Sequence, residues 1–300
     1  MDIDIKKVIS EVANLLTYQK HPINNKQYYN YVKSVTGLSI ANGDFTAQRG
    51  YDILEGAINY VVKKYIAREP KAANYTGYYY AEELMKIVPT QNIRSYSKVA
   101  LQQYSTPLTV SYFMANLLNV KQGELIFEPT AGTGNLLTFI DSKNICANEC
   151  DSFRARILRE LGYLTTEEDA MYLTSSKHYK HSQFDKIIMN PPFSTRLNSN
   201  KTNVSNGIRY ITEALYLLKD GGKMVVLFGE SIMNHLNEFK SKLEEFSGCV
   251  THNYSMPGKF FYKNGTTYNF NVLVIEKRQC NVLEGIEPYQ IKNIEELLNT

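Results

Sequence analysis

The sequence predicts an α/β fold in which helices cover both faces of a mostly parallel sheet, with a helical region in front of it. From about Ser97 onward, short apolar segments alternate with helical patterns, which is typical of parallel sheets. Before that point, apolar residues recur at the spacing of amphipathic helices. The 300 residues, of which 43% are hydrophobic, suffice for one large core. We therefore divide the chain into a helical accessory domain, 1–96, and an α/β domain, 97–300.

Two apolar stripes predict the helices of the first region. One runs from Ile5 to Leu16 and the other from Tyr51 to Ile66. Of the 23 tyrosines, 13 lie at or before Tyr104, and this concentration has two interpretations. The tyrosines can pack between helices while their hydroxyls stay near water. Alternatively, they can stack on nucleic-acid bases beside the lysines of this region.

The sheet of the α/β domain is predicted to begin near residue 125. The segments predicted as strands centre on Leu125–Phe127, Ile145–Asn148, Phe184–Met189, Lys223–Phe228, Val250–Tyr254 and Phe270–Glu276. The last two are expected to form an antiparallel hairpin, and a further strand is expected just before Asp169. A helix from Pro107 to about Leu118 should precede the first strand, because proline suits the first turn of a helix. A short helix from Ile291 to Leu298 is predicted near the end.

The motif Asn190-Pro191-Pro192-Phe193 directly follows the strand pattern Phe184–Met189. Its prolines lack backbone donors and favour extended geometry. The Asn190 side chain and the Asn190 and Pro191 carbonyls can therefore present acceptors toward one point, with an aromatic ring beside them. This arrangement suits the binding of an exocyclic or amide nitrogen, although a rigid turn at the end of a strand is the structural alternative.

A second motif, Phe127-Glu128-Pro129-Thr130-Ala131-Gly132-Thr133-Gly134-Asn135, follows another apolar segment upstream. We expect a strand, a glycine turn and a helix that begins near Asn135. Glycines let the backbone approach a ligand closely, and a helix N-terminus offers free amide donors. By itself such a turn can also be a plain connection, and it does not name a cofactor.

Together the two motifs resemble motifs I and IV of the S-adenosylmethionine-dependent amino-methyltransferases, a group that includes the DNA adenine-N6 methyltransferases. Gln102–Pro107 resembles motif X of that family, and Pro257–Tyr262 lies where its motif VIII is found. The order X, I, IV, VIII is similar to the gamma arrangement and covers about Ser97 to Arg278. The resemblance implies a Rossmann-like class I methyltransferase fold, with a seven-stranded, mostly parallel sheet and an antiparallel last strand.

The resemblance implies S-adenosylmethionine as the cofactor. Glu128 to Gly134 would pass under its methionine portion, and Glu149 would accept from the ribose hydroxyls, as acids do in dinucleotide folds. Asp169, or its neighbour Glu168, would accept from the adenine amine; ordinary exposed carboxylates are the alternative for these acids. The cofactor-binding residues predicted in this way are Tyr104, Thr106, Glu128, Thr130, Gly132, Gly134, Glu149, Asp169 and Asn190.

The chemistry that the resemblance implies is methyl transfer to the N6 amine of adenine in DNA, after the base has left the duplex. The Asn190 side-chain oxygen and the Pro191 carbonyl would accept the amine hydrogens and orient the nitrogen lone pair. The predicted catalytic residues are Asn190, Pro191, Pro192 and Phe193. The predicted substrate-binding residues are Phe193, Arg196, Lys201, Phe260 and Phe261, and structural packing is the alternative for the last two.

The expected partner is duplex DNA with a flipped adenine. The gamma class usually has a target-recognition domain after motif VIII, where this sequence has about twenty residues. Recognition is therefore expected from the helical region, from a second copy in a homodimer, or from a separate specificity subunit. The last arrangement is that of type I restriction-modification methylation subunits, whose chains are longer. Three alternatives stay open: a protein-glutamine N5 methyltransferase, an RNA adenine-N6 methyltransferase, and a non-catalytic assembly subunit.

Charge and composition add weaker constraints. The net charge is only +3, but six Lys or Arg residues and one acid lie between Lys177 and Arg209, around the Asn-Pro-Pro-Phe motif. This distribution favours nucleic-acid contact. The sequence has no membrane-length apolar run and no basic-then-apolar start, so we expect a cytoplasmic protein without a membrane partner. The four cysteines lack zinc spacing, so no metal is expected, and free thiols are the favoured interpretation.

Overall fold

The structure, a computed structural model, describes residues 3–44, 46–68, 76–89, 105–192, 205–229, 235–264, 269–279, 287–293 and 296. Its centre is a sheet in which eight strands follow the order β3-β2-β1-β4-β5-β7-β6-β8. The strands are β1 Ile126–Glu128, β2 Ile145–Asn148, β3 Leu164–Thr166, β4 Phe184–Met189, β5 Leu218–Gly229, β6 Gly248–Met256, β7 Phe270–Lys277 and β8 Tyr289–Gln290.

Strand direction confirms the predicted fold class. Strands β1 to β5 pair in parallel, whereas β7 runs antiparallel to both β5 and β6. The predicted hairpin is therefore present, and its second strand lies inside the sheet, between β5 and β6. The two-residue strand β8 pairs in parallel with β6, and it adds an eighth strand to the seven that were predicted.

The described residues also form eight α-helices. They are α1 Ile5–Tyr18, α2 Asn25–Thr36, α3 Ala47–Arg68, α4 Thr76–Ile87, α5 Leu108–Leu118, α6 Ser152–Glu160, α7 Ser205–Leu217 and α8 Leu236–Glu245. Helices α1 and α3 contain the two predicted stripes. Local signals set several ends: the Asp4 side chain caps α1, and α2 begins with a capping box and ends at Gly37, whose φ is +76°.

Two apolar clusters cover the two faces of the sheet. One contains buried residues of α1, α3 and α5 together with strand residues such as Ile126 and Val225. The other places α7 and α8 against residues such as Phe184 and Met189. The helical region therefore shares a core with the sheet, while the boundary between residues 96 and 97 stays a prediction.

A glycine allows α3 to lie close to α6. A Cβ built on Gly56 would be 2.7 Å from the Cγ2 atom of Ile157, so only glycine permits this approach without a shift. The close contact brings the polar residues of α3 to the loops at the carboxyl end of the sheet.

The tyrosines of the helical region include several core residues. Tyr28, Tyr51 and Tyr78 are fully buried, and the hydroxyl of Tyr28 donates to the Gly50 carbonyl at 2.7 Å. For these three residues the packing interpretation is confirmed.

The structure corrects two expectations, one on the helix after Gly134 and one on the cysteines. The helix predicted after Gly134 is only a 3-10 turn, Asn135–Leu137. Few residues separate this turn from β2, and the side chains of Asn135 and Thr138 bond to α3.

Cys146 and Cys150 are free, whereas Cys249 is disulfide-bonded, so the free-thiol interpretation is wrong for Cys249. Half of the residues of the predicted helix Ile291–Leu298 lie outside the described residues. Within the described ranges, none of the helices combines the length and apolar character that a bilayer crossing requires.

Candidate cofactor site and active site

The carboxyl ends of β1, β2, β3 and β4 meet around one cavity, which is where open α/β sheets bind ligands. The cavity encloses about 750 Å³ when its open mouth is included. Eight of the predicted site residues line it: Thr106, Glu128, Thr130, Gly132, Glu149, Asp169, Asn190 and Pro192. The structure thus brings together residues that are spread over 87 positions of the sequence.

The loop after β1 forms the floor of the cavity. Gly132 and Gly134 have φ values of +56° and +89°, a backbone conformation that favours glycine. A Cβ on Gly132 would meet no atom within 4 Å, so open space lies beside it. A Cβ on Gly134 would lie 3.0 Å from Leu158, which explains this glycine by packing against α6. Gly132 therefore serves the ligand side of the turn, and Gly134 its protein side.

Glu149, at the end of β2, holds this loop while facing the cavity. Its Oε2 accepts from the Gly132 amide at 2.8 Å, and its Oε1 accepts from the Asp151 amide at 2.9 Å. Burial raises the pKa of Glu149, and the charge of Arg154 and the amide bonds oppose that rise. The residue lines the cavity where the ribose acceptor was predicted.

Asn148 lies at the end of β2 and bonds the segments that follow β1 and β3, but sequence reasoning did not single it out. Its Nδ2 donates to the carbonyls of Pro129 and Glu168, at 3.0 and 2.9 Å, and its Oδ1 accepts from the Glu168 amide at 2.9 Å. Its position at the end of a predicted strand, among apolar residues, was the available signal. Asn148 sets the spacing of the loops around the cavity.

Both acids after β3, Glu168 and Asp169, line the cavity. The Glu168 carboxylate lies 3.3 Å from the His178 ring, whereas the more exposed Asp169 accepts from the Met171 amide at 2.9 Å. Tyr210 lies on the same side of the cavity. Burial, followed by the charge of Asp169, raises the pKa of Tyr210 to about 12, so its hydroxyl stays protonated.

The Asn190 side chain is held from outside the sheet. Its Nδ2 donates to the Oγ1 atom of Thr106 at 2.9 Å. The Thr106 carbonyl in turn accepts from the Nδ2 of Asn135 at 2.9 Å. The segments that contain Thr106, Asn135 and Asn190 therefore meet through side-chain hydrogen bonds.

Three buried polar residues of α3 support the site, and sequence reasoning missed them. Asp52, Glu55 and Asn59 are at most 6% exposed. Their spacing of three and four residues places them on one helix face, inside the buried, largely apolar stretch from Gly50 to Val62, and this pattern was the available signal. Asn59 donates to the Thr133 carbonyl and to the Oδ1 atom of Asn135, at 2.9 and 2.8 Å.

Arg154 is the buried cation of the site. Its Nε lies 3.1 Å from the Oδ1 atom of Asp52, and it also lines the cavity. Burial by itself lowers the pKa of Arg154, but the charges of Asp52, Glu149 and Glu55 outweigh burial and raise it overall. The guanidinium therefore stays charged and compensates buried carboxylates.

Two buried oxygens in the cavity wall indicate that the site is built for a ligand. Among the described residues, neither Oε2 of Glu128 nor Oγ1 of Thr130 has a hydrogen-bond partner. A buried polar atom without a partner is costly. Donors of a bound ligand, such as the ammonium group of a methionine moiety, would satisfy them. The surrounding carboxylates also suit a sulfonium cation, so the residues present fit S-adenosylmethionine.

Four described residues of the predicted site do not line the cavity: Gly134, Pro191, Phe260 and Phe261. Pro191 is buried, and both of its neighbours, Asn190 and Pro192, do line the cavity. Phe261 is fully buried and stacks on Phe270 with ring centroids 3.9 Å apart, which favours packing as its role. Phe260 is half-buried against the core. The predicted site residues that lie outside the described residues are Tyr104, Phe193, Arg196 and Lys201.

The basic stretch from Lys177 to Arg209 is not one continuous surface. Lys186 lies on β4, is 8% exposed, and pairs with Glu124 at 3.6 Å. Its charge therefore serves the fold. Lys177 and Arg209 are exposed, and the Arg209 guanidinium lies 4.3 Å from the centre of the Tyr172 ring.

Comparison with known proteins agrees with this geometry. A family model described as the methyltransferase small domain matches residues 162–253. The fold is that of the class I methyltransferases. A proposed class I S-adenosylmethionine-dependent methyltransferase from Listeria monocytogenes is similar over 97% of this chain and 93% of its own, with a TM-score of 0.53 and 15% identity. No curated protein matches the sequence significantly.

A second solved structure is similar as well. It is a modification subunit of a proposed type I restriction enzyme from Vibrio vulnificus, which matches over 88% of this chain and 55% of its own, with a TM-score of 0.52 and 15% identity. The fold, the matched family model and the cavity together support a methyltransferase that uses S-adenosylmethionine as its cofactor.

Proposed function

We propose that this protein transfers a methyl group from S-adenosylmethionine to the N6 amine of adenine in DNA. The observation that carries the proposal is the position of Asn190. It follows β4 at the rim of the cofactor cavity, and Thr106 holds its amide by a 2.9 Å hydrogen bond. A side chain fixed in this way can orient a substrate nitrogen toward a cofactor in the same cavity.

The chemistry follows from the acceptors that surround this point. When bound, S-adenosylmethionine supplies an electrophilic methyl group. With its Nδ2 bonded to Thr106, the Asn190 side chain would present its Oδ1 atom as an acceptor for one hydrogen of the amine. The Pro191 carbonyl would accept the second hydrogen. Both interactions orient the nitrogen lone pair and stabilise the positive charge that develops on it.

A flat base is favoured as the substrate because the motif ends in Phe193, whose ring would stack on it. An adenine inside a duplex must first leave the stack, at a cost of a few kcal/mol. The similarity to the Vibrio modification subunit, which extends over the helical region as well as the sheet, supports a DNA substrate. We also propose that recognition of a DNA sequence depends on a second copy or on a separate specificity subunit.

The substrate class can be tested with radiolabelled S-adenosylmethionine. The full chain would be incubated in parallel with duplex DNA, single-stranded DNA, RNA and a glutamine-containing peptide, each with and without cell extract as a source of a specificity subunit. We expect label in duplex DNA, recovered as N6-methyladenine after digestion. Label found in RNA alone or in peptide alone would contradict the proposal and favour the corresponding alternative.

The role of Asn190 can be tested with Asn190→Ala. We expect methyl transfer to fall by at least about a hundredfold, as for the loss of one preorganised transition-state group, while cofactor affinity changes little. Asn42→Ala, an exposed asparagine in the turn after α2, is the matched control and should behave as wild type. Unchanged turnover in Asn190→Ala would exclude the proposed role.

A further inference from the structure

Glu55 is a buried acid that the proposed methyl transfer does not use. It lies on α3, in the helical region, and is 6% exposed. Its Oε2 atom accepts two hydrogen bonds, one from the Ser105 hydroxyl at 2.8 Å and one from the Thr133 hydroxyl at 2.7 Å. A carboxylate is well suited to accept both, since hydrogen bonds to a charged group are stronger than neutral ones.

The two hydroxyls belong to different halves of the site. Thr133 is part of the loop after β1 and lines the cavity next to Gly132. Ser105 directly precedes Thr106, which holds the Asn190 amide. One carboxylate oxygen therefore joins the loop that contacts the cofactor to the segment that holds the substrate-orienting amide.

A second connection runs parallel to the first. One turn after Glu55, Asn59 donates to the Thr133 carbonyl and to Asn135, and Asn135 donates to the Thr106 carbonyl. Residues four apart lie on the same face of a helix, so α3 contacts both segments with a single face. These hydrogen bonds connect the loop after β1 to residues 105 and 106.

We propose that Glu55 is a positioning residue that couples the cofactor loop to the orientation of Asn190. This inference rests on the proposed function insofar as Asn190 orients the substrate nitrogen. The coupling itself involves only the protein and its cofactor, so it does not depend on which substrate is methylated. The helical region would then be an integral part of the active site.

The coupling can be measured without methyl transfer, by following the Asn190 side-chain amide in NMR spectra of protein labelled with ¹⁵N-asparagine. The peak is assigned by its loss in Asn190→Ala. Addition of S-adenosylmethionine should shift this peak in the wild type and in Glu160→Leu, a control in which an exposed acid of α6 is replaced. In Glu55→Leu the shift should fall by at least half at saturating cofactor, because the connection through Ser105 is absent.

Single substitutions at Thr133 and Ser105 test the two hydrogen bonds to Glu55 separately. We expect Thr133→Val to raise the cofactor Kd about tenfold, and Ser105→Ala to leave that Kd within about twofold while it lowers kcat about tenfold, since each loses a hydrogen bond to a charged acceptor. Glu55→Leu should show both effects. Glu55→Gln, which keeps one acceptor oxygen, should recover part of each, and it serves as the folded test if Glu55→Leu does not fold.

The outcomes separate this inference from the proposed function. If the wild type methylates none of the tested substrates but the NMR shift depends on Glu55, the proposed function fails and the coupling stands. If duplex DNA is methylated but the Asn190 peak responds equally to cofactor in Glu55→Leu, Glu55→Gln and wild type, the coupling is overturned. Loss of thermal stability in Glu55→Leu with unchanged kcat, Kd and NMR shift would assign Glu55 a purely structural role.

Discussion

The ion pair between Arg154 and Asp52 offers a sharp test of how the helical region supports the site. Asp52 is 1% exposed, and the Arg154 Nε lies 3.1 Å from its Oδ1 atom. Arg154→Met keeps the volume of the side chain but leaves the Asp52 carboxylate buried without its main cation. Removing one partner of a buried pair costs about 3–5 kcal/mol. Gln48 and Arg49 still contact Asp52, at 3.1 and 3.4 Å, so we expect the lower end, about 3 kcal/mol.

The assay is equilibrium unfolding in urea, in which the free energy of unfolding is compared with wild type. Arg159→Met is the matched control, because Arg159, on α6 like Arg154, pairs with the partly exposed Glu167 at 2.7 Å. Such a pair is screened by solvent, so its loss should cost about 1 kcal/mol or less. In addition, Asp52→Leu combined with Arg154→Met should recover part of the loss, since a buried pair replaced by apolar residues is often neutral.

A loss of less than about 1 kcal/mol in Arg154→Met, or one no larger than in Arg159→Met, would refute the reasoning. It would mean that the Asp52 carboxylate does not depend on Arg154 for its stability in the folded protein. The Arg154 network would then not connect α3 to the cofactor side of the sheet.

Two further predictions concern the loop after β1. Burial, followed by the charge of Glu149, raises the pKa of Glu128 well above its usual range. A cofactor ammonium group near Glu128 would favour the ionised carboxylate. Cofactor binding should therefore release a proton, and the affinity for the cofactor should increase as pH rises. Calorimetry in buffers of different ionisation enthalpy should show this release in wild type but not in Glu128→Gln, and equal enthalpies in all buffers would contradict it. Gly134→Ala should destabilise the fold by about 2–4 kcal/mol, because strain at positive φ adds to crowding against Leu158. Gly162→Ala, at φ +87° with open space around it, should lose only about 1–2 kcal/mol; equal losses in urea unfolding would exclude the crowding.

Local patterns predicted the parts of the fold that depend on neighbouring residues. The alternation of apolar segments and helical stripes located β2 and β4 at their observed bounds, since a buried parallel strand is an uninterrupted apolar run. The same reasoning was wrong after Gly134. There the short connection to β2 and the side-chain bonds of Asn135 and Thr138 to α3 produce a 3-10 turn instead of a helix.

Counting charges along the sequence does not show which of the charged residues are buried. It placed Lys186 in a basic stretch for nucleic acid, yet this lysine is buried on β4 and pairs with Glu124. Whether a charge faces solvent depends on which side of the sheet its strand presents, and counting residues does not include that information.

By itself, the sequence determined which residues could carry the chemistry: the glycine turn after β1, the acids after β2 and β3, and the asparagine followed by two prolines after β4. Their side chains and backbone angles are local properties, so spacing is enough to reveal them. Only the tertiary structure decided how they are held together. Thr106 meets Asn190 across 84 positions, and Glu55 reaches Thr133 across 78. The second pairing arises because α3, docked through Gly56, turns its buried polar side chains toward loops whose hydroxyls and amides require partners.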